Sequence, residues 1–201
     1  PKAAVSANVT AQQVIDNYAA ALGGKSKLEA VKTVKTLSTI KVMGMEMEAT
    51  TLEMAPNKSK AVQKIMGQEM VQVFDGEKGY MMQAGQRMDL PAPAIEEAKK
   101  KRLFEVLSYN AADFKTVEKV TEEGKELYLL AGAGKKLYFD TKTNLLVKST
   151  SDKGDMVILD YMEVDGIKFP KNLKLAMMGQ NMEMTNNQVI VNKEVSAEDF
   201  K

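Results

Sequence analysis

The side chains that could do chemistry in this sequence are carboxylates, lysines, tyrosines and hydroxyls, because its 201 residues contain no histidine and no cysteine. Without imidazole or thiolate there is no imidazole general base, no thiol nucleophile and no usual zinc ligand. Carboxylates alone could still form the acid pair of a glycosidase or a hard-metal site. We predict a chain that is not an enzyme and has no catalytic residue, metal or cofactor, with a carboxylate-based enzyme as the remote alternative.

The aspartates are the residues that could bind calcium. Asp140, Asp155, Asp160 and Asp165 follow one another in the last third of the chain. None has the Asp-x-Asp-x-Asp-Gly spacing of an EF-hand loop. Asp165 instead precedes a glycine, as Asp75 does, and this dipeptide is typical of hairpin turns. The pattern therefore predicts turns rather than a calcium site.

Charge is balanced along the chain, with 28 basic and 27 acidic residues and a net charge of +1. Only Arg87 and Arg102 are arginines, which is unusual for a surface that reads phosphates. The basic run Lys99–Arg102 could touch anionic lipid headgroups, but a solvated helix face is the favoured interpretation. No apolar run is long enough for a bilayer. We predict neither a nucleic-acid partner nor a transmembrane segment.

Methionine is in excess, with 15 residues gathered mainly around three Met-Gly turns at Gly44, Gly67 and Gly179. A flexible, polarisable thioether suits a cavity for variable apolar ligands, and it equally suits filling gaps in a core. Alternate residues of a strand share a face, so the methionines of each cluster are predicted to project together. The predicted apolar lining consists of Met43, Met45, Met47, Leu52, Met54, Met70, Phe74, Met182 and Met184.

Helix signals dominate the start of the chain. Residues 1–9 have the composition of a linker or disordered terminus, and 10–201 are predicted to form a single domain. Thr10 is a good N-cap with Gln13 in the capping-box position, and Gly23-Gly24 supplies a stop. A short second helix is predicted over Lys25–Lys32. A third is predicted over Ala94–Leu107, with Ile95, Ala98, Leu103, Val106 and Leu107 on its buried side.

From Val34 the apolar pattern changes to the period of a strand, and turn signals recur at short intervals. About ten strands are expected. We predict an α+β fold: a large curved antiparallel sheet forming an unclosed β-barrel, with helices packed on its concave side. The tail Val195–Phe200 is expected to cap an edge. The strands predicted in the second half are Glu126–Ala131, Lys136–Asp140, Leu145–Ser151, Met156–Val164, Asn172–Met178 and Gln188–Lys193.

Several of these segments resemble the LolA-like envelope proteins. They are the opening helix around Val14–Tyr18 with its Gly23-Gly24 stop, the hairpin from Leu137 to Lys148, and Val164–Pro170. In that family an unclosed barrel holds helices in its mouth, and its cavity takes acyl chains of lipoproteins during transport across the periplasm. The resemblance implies a lipoprotein-carrier fold, lipid binding, and a location in the periplasm or cell envelope.

A narrower resemblance is to the C-terminal non-catalytic domain of secreted insulinase-type (pitrilysin family) zinc peptidases of Gram-negative bacteria. It involves Met66–Met70, Val73–Tyr80 and the ending from Asn192 to Phe200. Those peptidases hold zinc on a His-x-x-Glu-His helix, which this chain cannot supply. The chain begins at Pro1 without a signal-peptide pattern, which indicates processing or excision from a longer protein.

Two functions follow from these observations. One is a non-catalytic cell-envelope module that holds an acyl chain or another apolar or lipidated partner. The other is an accessory domain attached to a peptidase domain in the same parent chain, serving protein interaction or spacing with no small ligand. A roomy apolar cavity would favour the first, and a packed core would favour the second.

Overall fold

The computed structural model describes residues 5–6, 8–177 and 179–201, which form three α-helices and fourteen β-strands. The helices are α1 (Ala11–Leu22), α2 (Lys25–Ala30) and α3 (Ala92–Lys100), with 3-10 turns at Glu105–Ser108, Ala111–Asp113 and Ala197–Phe200. The strands are β1 (Val5–Ser6), β2 (Thr33–Val42), β3 (Met45–Met54), β4 (Lys58–Ile65), β5 (Gln68–Phe74), β6 (Gly79–Gln83), β7 (Gln86–Asp89), β8 (Thr116–Glu122), β9 (Lys125–Gly132), β10 (Lys135–Asp140), β11 (Leu146–Ser151), β12 (Gly154–Val164), β13 (Ile167–Met177) and β14 (Gln180–Val191).

All fourteen strands belong to one sheet, in the order β1-β8-β9-β10-β11-β12-β13-β14-β2-β3-β4-β5-β6-β7. Neighbours pair antiparallel, for example β2 with β3 and β12 with β13. The order is linear and does not return to its first strand, so the sheet is not closed into a barrel. The predicted α+β class with a large, unclosed antiparallel sheet is confirmed.

Two-residue turns join many of these strands and set their pairing. In the β2–β3 turn, Met43 and Gly44 have φ of 50° and 78°, and Met66 and Gly67 in the β4–β5 turn have 49° and 80°. Two successive positive φ angles define the type I′ turn, whose twist matches that of the flanking strands. The same φ pattern recurs at Ala84-Gly85, Glu123-Gly124, Ala133-Gly134 and Asp165-Gly166.

In the second half, β8 (Thr116–Glu122) was not predicted, and the largest boundary differences are at the starts of β13 and β14. Strand β13 begins at Ile167 rather than Asn172, and β14 begins at Gln180 rather than Gln188. Pro170 lies within β13, opposite Tyr161 and beside a register shift, where a proline can be accommodated in a ladder. The sequence pattern therefore underestimated the lengths of β13 and β14.

The segment predicted as a linker contributes a short strand. Val5 and Ser6 pair with Lys119 and Glu118 of β8. The rest of that segment up to residue 4, residue 7, and Met178 of the predicted strand Asn172–Met178 lie outside the described residues.

Helix α1 begins and ends as its sequence predicts. The Thr10 hydroxyl accepts a hydrogen bond from the Gln13 N–H at 3.1 Å, and the Gln13 side chain accepts from the Thr10 N–H at 2.9 Å. The helix stops at Gly23, with φ of 137°. A Cβ there would lie 2.6 Å from the Gly166 carbonyl oxygen, so this close approach requires glycine.

Helix α3 is shorter than predicted and ends at Lys100. Lys101 is extended, with ψ of 151°, and the Arg102 guanidinium donates to the carbonyl oxygens of Lys99 (3.2 Å) and Lys101 (2.8 Å). These bonds satisfy acceptors that the helix end leaves open. Of the side chains predicted to be buried here only Val106 is, and it lies in the following 3-10 turn.

The chain forms two compact units, the first from Pro1–Leu28 with Tyr109–Met182, the second from Glu29–Ser108 with Glu183–Lys201. In the first, the Tyr18 ring of α1 packs edge-on against Phe139 of β10, with centroids 5.2 Å apart. In the second, Phe200 is 2% exposed and packs with Leu52 and Val73. The tail therefore covers the C-terminal ends of β3 and β5, inside the sheet rather than at its edge strand. The single domain over 10–201 stays a prediction.

Replacing Thr10 by alanine should lower the free energy of unfolding by about 1 kcal/mol, because an α1 N–H loses its acceptor. Urea unfolding followed by circular dichroism measures the change. Thr10→Ser keeps the hydroxyl and should stay within about 0.5 kcal/mol of the parent protein. Equal losses in both variants would show that the methyl group, not the cap, matters.

Replacing Phe200 by alanine should cost about 3–5 kcal/mol, because it empties the space above Leu52 and Val73. Phe200→Leu should retain most of the burial and lose less. Thermal unfolding of both variants tests the assignment, and a loss below about 1 kcal/mol in the alanine variant would contradict it.

Candidate functional site

The pairing register of β2–β7 determines which side chains share a face of the second unit. Residues directly opposite one another in an antiparallel pair project to the same side. Met47 lies opposite Ile40, Met70 lies opposite both Gln63 and Gln83, and no register shift interrupts these pairings. Tracing the pairs outward from Met47 assigns each residue of the six strands to one of two faces.

The face that contains Met47 carries no charged side chain on β4–β7, and we call it the neutral face. Its other side chains on these strands are amides, thioethers, small groups and one buried phenylalanine. Outside Ile65, whose side chain is not described, its β4–β7 members are Ser59, Ala61, Gln63, Gln68, Met70, Gln72, Phe74, Gly79, Met81, Gln83, Gln86 and Met88.

The opposite side of the same strands, the charged face, collects all their ionic groups. On this face, the side chains of Val73 and Leu52 are buried beneath Phe200. The ionic groups of β4–β7 thus lie on one face, whereas apolar side chains occur on both. The ionic side chains of β4–β7 on this face are Lys58, Lys60, Lys64, Glu69, Arg87 and Asp89.

Glu53, on β3, is the single ionisable side chain on the neutral face of β2–β7 among the described side chains, opposite Val34 and Ser59. Burial raises the pKa of its carboxyl above the ordinary value, and the positive charge of Lys101 opposes the rise. A carboxyl in such surroundings favours its neutral form. The protonated form of the one acid on this face is therefore favoured relative to an exposed glutamate.

The nine predicted lining residues do not share one surface. Met45, Met47, Met70 and Phe74 project from the neutral face. Leu52 and Met54 belong to the charged face, since a strand alternates and they differ in parity from Met47; both join the Phe200 cluster. Met43 lies in the β2–β3 turn and is 78% exposed, so it is not part of a strand.

The two remaining predicted residues lie on β14, and each is half-buried. Met182 belongs to the first unit and Met184 to the second. Their assignment to a ligand-binding surface stays a prediction.

Met81 and Met88 were missed at the sequence level, although they lie on the neutral face directly opposite one another. The length of the turn between β6 and β7 would have predicted this pairing. A two-residue Ala84-Gly85 turn places Gln83 opposite Gln86, and counting back two positions on each strand brings Met81 opposite Met88.

Two cavities lie in the second unit near these strands. The larger, of about 560 Å³, lies between Tyr80, Arg87, Leu90, Ile95 and Phe200, and none of the nine predicted residues lines it. The smaller, of about 310 Å³, is bounded by Met66, Gln68, Glu69, Met70 and Gln83 at the end of the β4–β5 hairpin. Met70 and its glutamine neighbours thus border an open space at the neutral face.

The outer hairpin β6–β7 is held by two side-chain contacts on its charged face and by a main-chain hydrogen bond at its open end. The Arg87 guanidinium carbon lies 3.8 Å from the centre of the Tyr80 ring, a cation–π contact. The Tyr80 hydroxyl donates to the main-chain oxygen of Lys201 at 3.1 Å. The Leu90 N–H donates to the Gly79 carbonyl oxygen at 2.8 Å. These bonds fix the hairpin that carries Met81 and Met88.

Two aspartates cap turns: Asp75, which was predicted to lie in one, and Asp140, which was not. Asp75 accepts hydrogen bonds from the N–H groups of Glu77 and Lys78, both at 2.8 Å, and these bonds lower the pKa of its carboxyl. Asp140 accepts from the N–H groups of Lys142 and Thr143, and its pKa is lowered although burial opposes the shift. In the part of the chain that the structure describes, no three acidic side chains gather as a metal site.

Polar side chains of the first unit serve its packing. The Tyr161 hydroxyl donates to the Leu146 carbonyl oxygen at 2.7 Å, and burial with the nearby Tyr18 raises its pKa. Lys148 pairs with Glu122 at 3.0 Å and lies 4.7 Å from the Tyr138 ring centre. These groups connect neighbouring strands through contacts typical of structural ion pairs and tyrosines.

Comparison of the fold finds structural relatives, whereas no family model and no curated protein matches the sequence. A DUF1329 family protein from Desulfovibrio piger superimposes with a TM-score of 0.58 at 8% identity, covering 95% of this chain and 97% of that one. A domain from Vibrio parahaemolyticus, named for outer membrane lipoprotein sorting, gives 0.59 at 10% identity with the same coverages.

These matches show a shared fold, and the predicted LolA-like architecture is confirmed at that level. At such low identity they carry no residue correspondence, and none of them links the chain to a peptidase. Among the described residues, no helix has both the length and the apolar character that crossing a bilayer requires.

Replacing Glu53 by glutamine should stabilise the protein at neutral pH, because it removes a poorly solvated ionised carboxyl. A raised native pKa means that the parent protein loses stability as pH rises from the unfolded value of about 4.3 through the native value. The difference in free energy of unfolding between the variant and the parent protein should therefore grow as pH rises through that window and disappear at lower pH. Urea unfolding across pH 3–8 measures it, with the exposed Glu48→Gln as control; a gap independent of pH would refute the assignment.

Proposed function

We propose that this chain is a non-catalytic binding module of the cell envelope and that its neutral face holds an acyl chain. The observation that carries the proposal is the absence of charge from that face across β4–β7, while six ionic side chains of the same strands occupy the other. The shared fold with a lipoprotein-sorting domain supports a binding role. It supports an envelope location in the same way.

The composition of the face suits an alkyl chain of variable shape. Met70 and Met81 are half-buried, and Met88 is 50% exposed, so their thioethers line a surface that is only partly covered. Methionine adapts to irregular apolar partners because its side chain has three rotatable bonds. Interspersed glutamines such as Gln72 and Gln83 keep the empty surface compatible with water without introducing a charge.

Burial of alkyl groups supplies the binding energy. Each methylene removed from water contributes about 0.8 kcal/mol, so a chain with about ten buried methylenes gains several kcal/mol after the costs of ordering. A charged side chain beneath the alkyl chain would offset much of that gain through desolvation. The neutral face avoids this cost along four consecutive strands.

The experiment is a titration of a fluorescent fatty acid with the whole chain. The parent protein should show saturable uptake. The triple variant Met70→Gln, Met81→Gln and Met88→Gln should bind at least about tenfold more weakly, a loss of about 1.4 kcal/mol, because amides replace apolar contacts. The three positions are half-buried or exposed, so the sheet should remain folded, as circular dichroism would show.

Met82→Gln is the matched control. Met82 is adjacent to Met81 on the same strand, is 39% exposed and projects from the charged face opposite Arg87. Its replacement should leave uptake unchanged. Absence of saturable uptake by the parent protein would refute the acyl proposal and favour the accessory module of a peptidase, which interacts with protein and binds no small ligand.

A further inference from the structure

We propose that the larger cavity of the second unit is a separate binding site for a small amphipathic organic anion. The cavity measures about 560 Å³ and opens on the charged face, to which Val73, Tyr80 and Arg87 all project. Pockets for small organic molecules typically measure about 300–1,000 Å³. The sheet separates this cavity from the neutral face, so the site does not require acyl binding.

The inner wall of the cavity is apolar and already ordered. Val73 and Phe200 are buried and pack on one another. The Leu90 N–H donates to the Gly79 carbonyl oxygen at 2.8 Å, and a Cβ on Gly79 would lie only 2.5 Å from the Leu90 Cδ1 atom. A wall that is fixed before binding lets a ligand bury its apolar body at little cost in conformational entropy.

Helix α3 forms the outer wall, and its apolar side is only partly covered. Ala94, Ile95 and Ala98 share one side of the helix and are half-buried, and no residue of α3 is fully buried. An amphipathic helix normally buries its apolar stripe. Because Ile95 lines the cavity, an apolar ligand body would complete the burial that the protein alone leaves unfinished.

Five ionic side chains border the cavity, and two of them are engaged by the protein itself. Asp75 accepts hydrogen bonds from main-chain N–H groups of its own turn. The Lys201 ammonium group pairs with Glu198 at 2.6 Å. Lys78 is exposed at the rim, where its ammonium group adds positive charge. The remaining two ionic side chains, Arg87 and Asp89, lie next to one another on β7.

Arg87 is the cation best placed to bind an anion. Its guanidinium carbon lies 3.8 Å from the centre of the Tyr80 ring, which restrains the side chain. Its Nε atom is 3.6 Å from Asp89 Oδ1, which is too long for a hydrogen bond. The planar guanidinium can therefore donate to a carboxylate or a similar oxyanion. Since the Arg87 side chain is 62% exposed, the anionic end of the ligand lies at the mouth and its apolar body lies inside.

The test titrates the whole chain with 8-anilinonaphthalene-1-sulfonate, which has one sulfonate on a compact aromatic body. N-phenyl-1-naphthylamine, the same molecule without the sulfonate, is the matched neutral probe. We expect saturable one-to-one binding of the sulfonate, tighter than that of the neutral probe and weakened by salt. In protein with ¹³C-labelled isoleucine and methionine methyl groups, the Ile95 signal should shift, whereas those of Met81 and Met88 should not.

The variant Ile95→Glu should bind the sulfonate at least about tenfold more weakly, because it removes an apolar contact and adds a repelling charge inside the cavity. No residue of α3 is fully buried, so the sheet should remain folded in this variant, as circular dichroism would show.

Two further variants act in opposite directions on the charge at the mouth. Arg87→Gln should weaken sulfonate binding about three- to fivefold, as expected for loss of a partly exposed ionic contact. Asp89→Asn should strengthen it about twofold, because a competing carboxylate is removed while the contact between Arg87 and Tyr80 remains. Lys64→Gln removes a positive charge from the same face without touching the cavity, and it should leave binding unchanged.

The same variants separate this site from the proposed function. The triple variant Met70→Gln, Met81→Gln and Met88→Gln should bind the sulfonate as the parent protein does, and Ile95→Glu should still take up the fluorescent fatty acid. Loss of both probes in Ile95→Glu would show that they share one cavity and would overturn a second site. Sulfonate binding that is unchanged in Arg87→Gln and Asp89→Asn, or shifts at Met81 and Met88 in place of Ile95, would overturn it as well.

Discussion

The two-residue turn with two left-handed residues is the constraint on which the rest of this structure depends. Such a turn leaves no spare residue to absorb a slip, so the pairing of the two strands is fixed from the turn outward. A shift of one residue would move every side chain to the other face and would bring Lys60, Lys64 and Glu69 to the side of Met47. The separation of charge between the faces therefore originates in turns such as Met43-Gly44 and Met66-Gly67.

Local signals in the sequence were sufficient where the structure is locally determined. The capping box at Thr10 and Gln13, the stop at Gly23 and most hairpin turns depend on a few neighbouring residues, and their prediction is confirmed. The alternation of apolar and polar residues also indicated the antiparallel sheet. What it could not give is that β13 continues through Pro170, because that depends on its pairing with β12.

The candidate site shows the same division. Counting alternate residues groups Met45 with Met47 and gives Leu52 the opposite orientation, but it could not show that Leu52 lies beneath Phe200, more than a hundred residues away in the chain. Met81 and Met88 required the register across a turn rather than a pattern within one strand. Residues that are neighbours across two strands can be predicted from the sequence only when the turn length is used to set the pairing register.

Methionine and glutamine share a property that explains their joint use on the neutral face. Both side chains are long, flexible and uncharged. They differ mainly in that methionine ends in an apolar thioether and glutamine in a polar amide. A face built from both can remain partly solvated when empty and can rearrange around a partner without moving the backbone. The charged face, by contrast, carries the groups that interact with water permanently.

The outermost strand, β7, has a consequence for how these molecules behave at high concentration. Its four residues are all exposed, and its outer side ends the sheet in the strand order. A longer, flatter edge strand would pair with a strand of a neighbouring molecule, and repeated pairing would produce fibres. With only four residues, and with Arg87 and Asp89 among them, β7 offers too short and too charged a template, which favours a protein that stays dispersed.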